Sequence, residues 1–373
     1  MRKSVTLWMV RFIGILVMLN FSACGANGEN SRSIISSDTE KVVIPQYNPN
    51  NPTHVLITPS NGKWNRYVLN NPNYKHFYLK PGKYLTKINL TASGTKSNRR
   101  TLSLLNGNNT HPAALPVSQI ADARFYLAGA SYWTIDRISV INTKLEYVTL
   151  MMKYKGKYAT HNIINRLHAK EYTYGVLIEP FCHFNTIQNS YMDFMSHKGR
   201  LADNVAIALA NSRIRGARTE GTKIINNDIR DANDGIQLIV SSGVDGATVS
   251  YPGTIIDSNV IWMDSDVYTN GDYAKNGYNK NGKYQIGENA IGLKSGSNDS
   301  KNPVIISNNV MFGYRYNDPT TGASSTPYQR GSAILSSGSP KNIKIHNNIM
   351  YDLNTPIQVI KNIIFYLNIF RSF

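Results

Sequence analysis

"TKIINNDIRDANDGIQLIV", Thr222 to Val240, holds two short apolar runs separated by an Asn pair, and a third run that follows an Asn-Asp-Gly turn. Each run is rich in isoleucine, too short for a helix, and bounded by turn residues, which is the signature of strands. The same unit recurs. "FNTIQNSYMDF" with "NVAIALA" precedes it, and "GTIIDSNVIWMD" with "ENAIGLK", "NPVIISNNVMFGY" with "GSAILSS" and "KNIKIHNNIMYD" with "TPIQVI" follow it. Internal repetition of this kind means stacked coils, each burying a face on the next.

Aligning the last run of each unit places Ile207, Ile236, Ile291, Ile334 and Ile357 in one column, and Leu209, Leu238, Leu293, Ser336 and Val359 in a second. Alternation across a strand puts both columns on the interior face. Gln237 and Gly292, then Ile239 and Lys294, are therefore expected to point outward. The turn asparagines Asn189, Asn227, Asn259, Asn309 and Asn348 form a further column. Their amides are expected to bond the next coil, and Asn tolerates the left-handed bend between sheets.

Towards the N-terminus, "HFYLKPGKYLTKINL", "RRTLSLLNG" and "ARFYLAGASYWTIDRISVIN" read as strands broken by Pro-Gly and Gly turns. The expectation is an all-β chain, a single-stranded right-handed parallel β-helix spanning 46–373. Its end, "KNIIFYLNIFRSF", is apolar and lacks a polar cap, so a partner over this end or a truncated chain is expected, with truncation favoured.

Residues 1–24 have the form of an export signal. Arg2, Lys3 and Arg11 precede the apolar run Phe12 to Leu19, and "FSAC" ends in a lipobox-like Cys24. This predicts a bacterial lipoprotein anchored by lipid at Cys24, at the cell surface or the periplasm-facing outer membrane, with plain secretion as the other reading. A polar linker, 25–45, follows. Beyond Cys24 the sequence holds one cysteine, Cys182, read as buried packing. The net charge of +17 favours a polyanionic partner. No nucleic-acid-binding signature is present, and an acidic polysaccharide fits an exported protein better. A monomer is expected.

The run "YLKPGKY…LTASGTKSNRRTLSLLNG" resembles the opening coils of secreted β-helix polysaccharide lyases of the chondroitinase B and alginate lyase type. "NDGIQLIV" and "ENAIGLKSGS" resemble the "DDGFDLK" type of motif in calcium-dependent pectate lyases of family nine. The resemblance implies β-elimination on a uronate-containing polysaccharide, with calcium and a lysine base. Asn233 and Gln237 stand where that motif has acids, and Gly292 where it has Asp.

β-Elimination needs a neutralised carboxylate, a base for the α-hydrogen, and a proton for the leaving oxygen. Lys294 is the candidate base and Arg315, in "FGYR", the candidate clamp for a substrate carboxylate. Asp234, Glu288 and Asn233 are the candidate calcium ligands, because the alignment stacks Asn233 on Glu288 with Asp234 and Asn289 beside them. Equally, Asp234 caps a turn and Glu288 pairs with a neighbouring cation. Tyr314, between Phe312 and Tyr316, is a candidate sugar contact, as are Arg213 and Arg215 in the loop "NSRIRGART", unless that loop is a solvated insertion. The paired acids of a pectin hydrolase are not recognisable. The alternative to a lyase is a glycan-binding β-helix that cuts nothing.

Overall fold

The computed structural model describes residues 39–105, 110–141, 145–170, 172–193, 205–209, 214, 216–240, 249–263, 288–314, 331–337, 340–358, 363–365 and 368–371, all within the unit Ser37–Phe373. Every named pairing between their strands is parallel and joins one coil to the next. The chain is a right-handed parallel β-helix.

Each full coil contributes to three ladders. The first is an eleven-stranded sheet running from His54–Ile57 through Lys223–Ile225 to Ile363–Phe365. Seventeen further strands form the other two, which join where Asp122 pairs with Ser139. The second ladder holds short strands such as Tyr191–Met192, Asp228–Arg230 and Val260–Trp262. The third holds longer ones, among them Val205–Leu209, Asp234–Leu238, Asn289–Leu293 and Ser332–Ser336.

The interior is built from columns of like residues. In the first ladder Leu102, Ile135, Ile164, Ile187, Ile224, Ile256, Ile306 and Ile345 follow one another in register. In the third, Ile207, Ile236, Ile291, Ile334 and Ile357 stack as expected, and Leu209, Leu238, Leu293 and Ser336 form the second column. Val359 lies outside the described residues. Each buried isoleucine contributes about 1.5 to 3 kcal/mol relative to exposure, so the columns are the main source of cohesion.

The turn from the first to the second ladder divides between two adjacent residues the work that the sequence assigned to one. Arg137, Arg166, Asn189, Asn226, Ser258, Asn308 and Asn347 take the left-handed bend, with φ between 52° and 58°. The next residue faces inward and carries the amide ladder: Asn227, Asn259, Asn309, Asn348 and Asn368, each holding its predecessor. Asn189 therefore belongs to the bend, and Ser190 occupies its place in the ladder, its backbone N–H donating to Asn227 Oδ1 at 3.0 Å.

Residues 39–45, read from sequence as the end of a linker, lie along the outer face of the first ladder. Glu40 exchanges two hydrogen bonds with Gln188, at 3.0 and 2.9 Å, and Tyr78 Oη donates to the Pro45 carbonyl at 2.8 Å. At the other end Ile364, Ile369 and Phe370 are exposed.

Candidate functional site

The third ladder bends just after each strand begins. Gly235 faces the core, since a Cβ there would meet Ile261 Cγ2 at 2.5 Å, and Ala206, Ala290 and Ala333 fill the same inward position on other coils. Two consecutive inward residues break simple alternation. Asp234 consequently shares the outer face with Gln237 and Gly292: its Oδ2 accepts from Gln237 Nε2 at 3.2 Å, and its Oδ1 lies 3.6 Å from where a Gly292 Cβ would stand.

The stacking expected of the candidate ligands is present. Asp234 pairs with Asn289, and the backbone N–H of Glu288 donates to the Asn233 carbonyl at 2.7 Å. Asp234 is buried and both its oxygens accept amide N–H groups, from Gln237 and from Asn289 Nδ2 at 3.2 Å. Calcium takes six to eight oxygens, so it would bind here only with those amides turned to present theirs. Among the described residues no cluster of three or more His, Cys, Asp or Glu side chains assembles.

Lys294 begins the segment after its strand, on the same outer side, with its N–H donating to the Leu238 carbonyl at 3.0 Å. Its partly buried side chain forms no ion pair with a described residue. Ile239, beside it on the preceding coil, comes five residues after Asp234, so up to about 16 Å of extended backbone separates the lysine from the carboxylate.

Several expectations are corrected. The residues expected to point outward do so but are nearly covered: Gln237 and Ile239 are each only 7% exposed, and Ile239 packs in a small outer cluster with Val205 and Ala208. Tyr314 is not a sugar contact. It is fully buried, and its hydroxyl donates to the Ala232 carbonyl at 2.9 Å, pinning the tight corner 231–233. The rings beside it form a ladder whose faces cover one another. Trp262 stacks on Phe312 at 5.5 Å, and Phe312 on Tyr351 at 4.7 Å, leaving the faces between them closed to a sugar. Arg213, Arg215, Arg315 and Cys24 lie outside the described residues. Cys182 is buried, and burial pushes its thiol up to about 12, as packing rather than a nucleophile requires.

The structure also assembles a group that sequence reasoning missed. On the outer face of the second ladder Tyr191 pairs in register with Asp228, and Arg230 with Trp262; Lys170, Asp193 and Arg230 then succeed one another just beyond the Tyr191 row. Lys170 Nζ meets Asp193 Oδ2 at 3.0 Å. Asp228 accepts from Trp262 Nε1 at 2.9 Å, and burial raises its carboxyl to about 6. Two carboxylates in contrasting environments on successive coils are the raw material of acid–base chemistry. Aligning the first runs as well as the last, at "YMD", "DIR" and "VIW", would have brought them together.

In the coil that carries Asp228, Arg230 and Asp234 the second and third ladders are joined by residues 231–233.

With the fold and these groups in view, the class is that of parallel β-helix proteins. No protein-family model and no curated protein matches the sequence. Among solved structures, the chain is similar to a mannuronic-acid-specific polysaccharide family 6 lyase from human gut microbiota (10% identity, TM-score 0.47, covering 86% of this chain and 83% of that one). It is similar also to pectate lyase Pel9A (14%, 0.48, 86% and 79%) and to an alginate lyase from Paenibacillus sp. (14%, 0.42, 84% and 98%).

Proposed function

We propose that this chain is a polysaccharide lyase that cleaves an anionic, uronate-containing polysaccharide by β-elimination. The observation that carries the reading is Lys294: a partly buried lysine with no described acid partner, at the end of the strand that stacks on the strand of Asp234. In this reading Lys294, as the neutral amine, takes the α-hydrogen of a bound uronate. The electron pair forms the new double bond as the glycosidic oxygen departs and is protonated by water. Arg315 holds the substrate carboxylate. The protein acts outside the cytoplasm, held to the membrane by lipid at Cys24.

A second reading, hydrolysis, is favoured by one specific observation, the Asp193 and Asp228 pair, with Asp228 retaining its proton at higher pH than an ordinary carboxylate. One assay separates the two. The mature protein is incubated with alginate, polygalacturonate and chondroitin sulfate, with and without a chelator. Elimination yields unsaturated ends that absorb in the ultraviolet and vanish in Lys294→Ala. New reducing ends without that absorbance, lost in Asp228→Asn and kept in Lys294→Ala, would replace elimination by hydrolysis. Binding with neither product would reduce the protein to a glycan-holding scaffold.

A further inference from the structure

The first coils carry a cleft of about 810 Å³ far from the groups above, at the C-terminal ends of the third-ladder strands Gly82–Leu90, Ala121–Ala128 and Leu145–Met152. One wall is the one-turn helix Arg66–Leu69 and the residues leading into it. Asn65 Oδ1 caps this turn by accepting from the backbone N–H groups of Tyr67 and Val68, at 2.9 and 3.0 Å. Trp64 Nε1 donates to the Thr86 carbonyl at 2.7 Å, and Asn70 bridges to Asn89 and Thr91. The wall is thus riveted to the solenoid.

The opposite wall comes from the sequence "KYKGKY", Lys153 to Tyr158. Tyr154 and Lys157 exchange backbone hydrogen bonds at 2.8 and 3.0 Å. Lys155 and Gly156 between them both have positive φ, the geometry of a tight two-residue hairpin. Gly129 lies beneath, where a Cβ would meet the Tyr154 carbonyl oxygen at 2.9 Å.

The chemistry of this cleft is one-sided. Arg66, Lys87, Lys155 and Lys157 line it, no carboxylate does, and none of the four forms an ion pair with a described residue. Arg66, Lys87 and Lys155 instead lie over tyrosine rings, at 4.8, 4.3 and 5.6 Å from the centroids. Tyr67 is 73% exposed and Tyr154 37%, large rings left in water at the cleft mouth. Asn89 Oδ1, also in the lining, is buried without a hydrogen-bond partner.

We infer that this cleft is a binding site for an acidic oligosaccharide, separate from the place of cleavage. Unpaired cations supply carboxylate or sulfate recognition, and exposed rings beside them supply apolar faces for sugar rings. Its volume is that of a ligand pocket, and its concavity does not suit a flat bilayer. It opens on the same edge of the third ladder as Lys294, four coils earlier, or about 19 Å at the spacing of neighbouring strands. One polysaccharide chain laid along the solenoid reaches both. The inference rests on the anionic-polysaccharide reading and not on the elimination chemistry.

Calorimetric titration of the mature protein with oligosaccharides of alginate, polygalacturonate and chondroitin sulfate tests it, with dextran, single-stranded RNA and anionic phospholipid vesicles as the other arms. The expected result is binding of at least one acidic glycan, weakened at least tenfold in the double variant Lys155→Ser, Lys157→Ser and in Tyr67→Ala. The melting temperature should be unchanged in both variants. Equal binding by parent and double variant overturns the site, as does tighter binding of RNA or vesicles than of every acidic glycan, or no glycan binding at all. Unsaturated products formed despite such a failure would leave the lyase reading standing alone.

Discussion

Asn259 donates both its backbone N–H and its side-chain Nδ2–H to the one Oδ1 of Asn309, each at 2.9 Å. Asn259 Oδ1 in turn accepts the same pair of bonds from Asn227, at 3.0 and 2.9 Å. Asn259→Ala strips buried partners from two neighbouring coils at once, and a buried polar group left unsatisfied costs about 1 to 3 kcal/mol. The expected loss is roughly 3 kcal/mol in urea unfolding. Asn347→Gly, at an exposed left-handed bend residue with φ 58°, should change stability by less than about 0.5 kcal/mol. Equal losses would refute the division of labour at this corner.

Asp136 is a second buried anchor. It receives Arg137 Nε at 3.0 Å, Arg166 Nη2 at 2.7 Å and Asn165 Nδ2 at 2.7 Å. Both arginines sit at left-handed bends, so the carboxylate ties two corners together. Asp136→Asn should cost about 3 to 5 kcal/mol, because it leaves one buried and one partly buried guanidinium group without their counter-charge. Thermal unfolding reads this directly.

Acid should destabilise the fold. Burial holds the His168 ring near 3 and the His111 ring near 4, both below an ordinary histidine. The unfolded chain takes up those protons first, so stability is full above about pH 6.5 and is lost as pH falls towards 4 and 3. Asp228 acts in the opposite sense, since its raised value near 6 favours the folded state at low pH. It offsets part of the loss. The net expectation is a melting temperature that falls between pH 6.5 and 4, less steeply in His168→Gln than in the parent at the same pH interval.

Gly292 offers a gain-of-function test of the calcium question. A Cβ there would lie 3.2 Å from the flexible Gln237 Cγ and 3.6 Å from Asp234 Oδ1. Gly292→Asp therefore sets a second carboxylate beside Asp234 at little steric cost. Calcium should raise the melting temperature of this variant by several degrees and leave the parent unmoved. A calcium-dependent rise in the parent would show that its present amide donors give way to the ion.

The interior columns of the third ladder were legible because apolar content and a period of two residues act together, and Ile236 and Ile291 fall where that period puts them. The position of Asp234 was harder to read. The alternation that fixes Ile236 inward would send a residue two places earlier inward too, and only the extra inward step at Gly235 turns Asp234 out. The bend and the amide ladder were merged into one column because Asn suits both, and in "TKIINND" the two roles fall to adjacent asparagines. Tyr314 misled for a similar reason. A tyrosine reads the same whether its ring meets a sugar or fills a corner, until the Ala232 carbonyl is seen to accept its proton. The Asp193 and Asp228 pair needed a second alignment, since residues 35 apart become neighbours only through the register of the short strands.

The stretch from Glu40 to Pro45 has a consequence for how this molecule comes into being. Pro45 meets Tyr78 early, but Glu40 and its partner Gln188 are 148 positions apart, so the Glu40 end of the segment has nothing to hold until several later coils exist. Growth from the N-terminus would leave it hanging while the solenoid winds, and it would settle only afterwards, like a clasp fastened across finished work. Until that moment a protease has access to the front of the chain, and a nascent product that stops short of Gln188 could never fasten it.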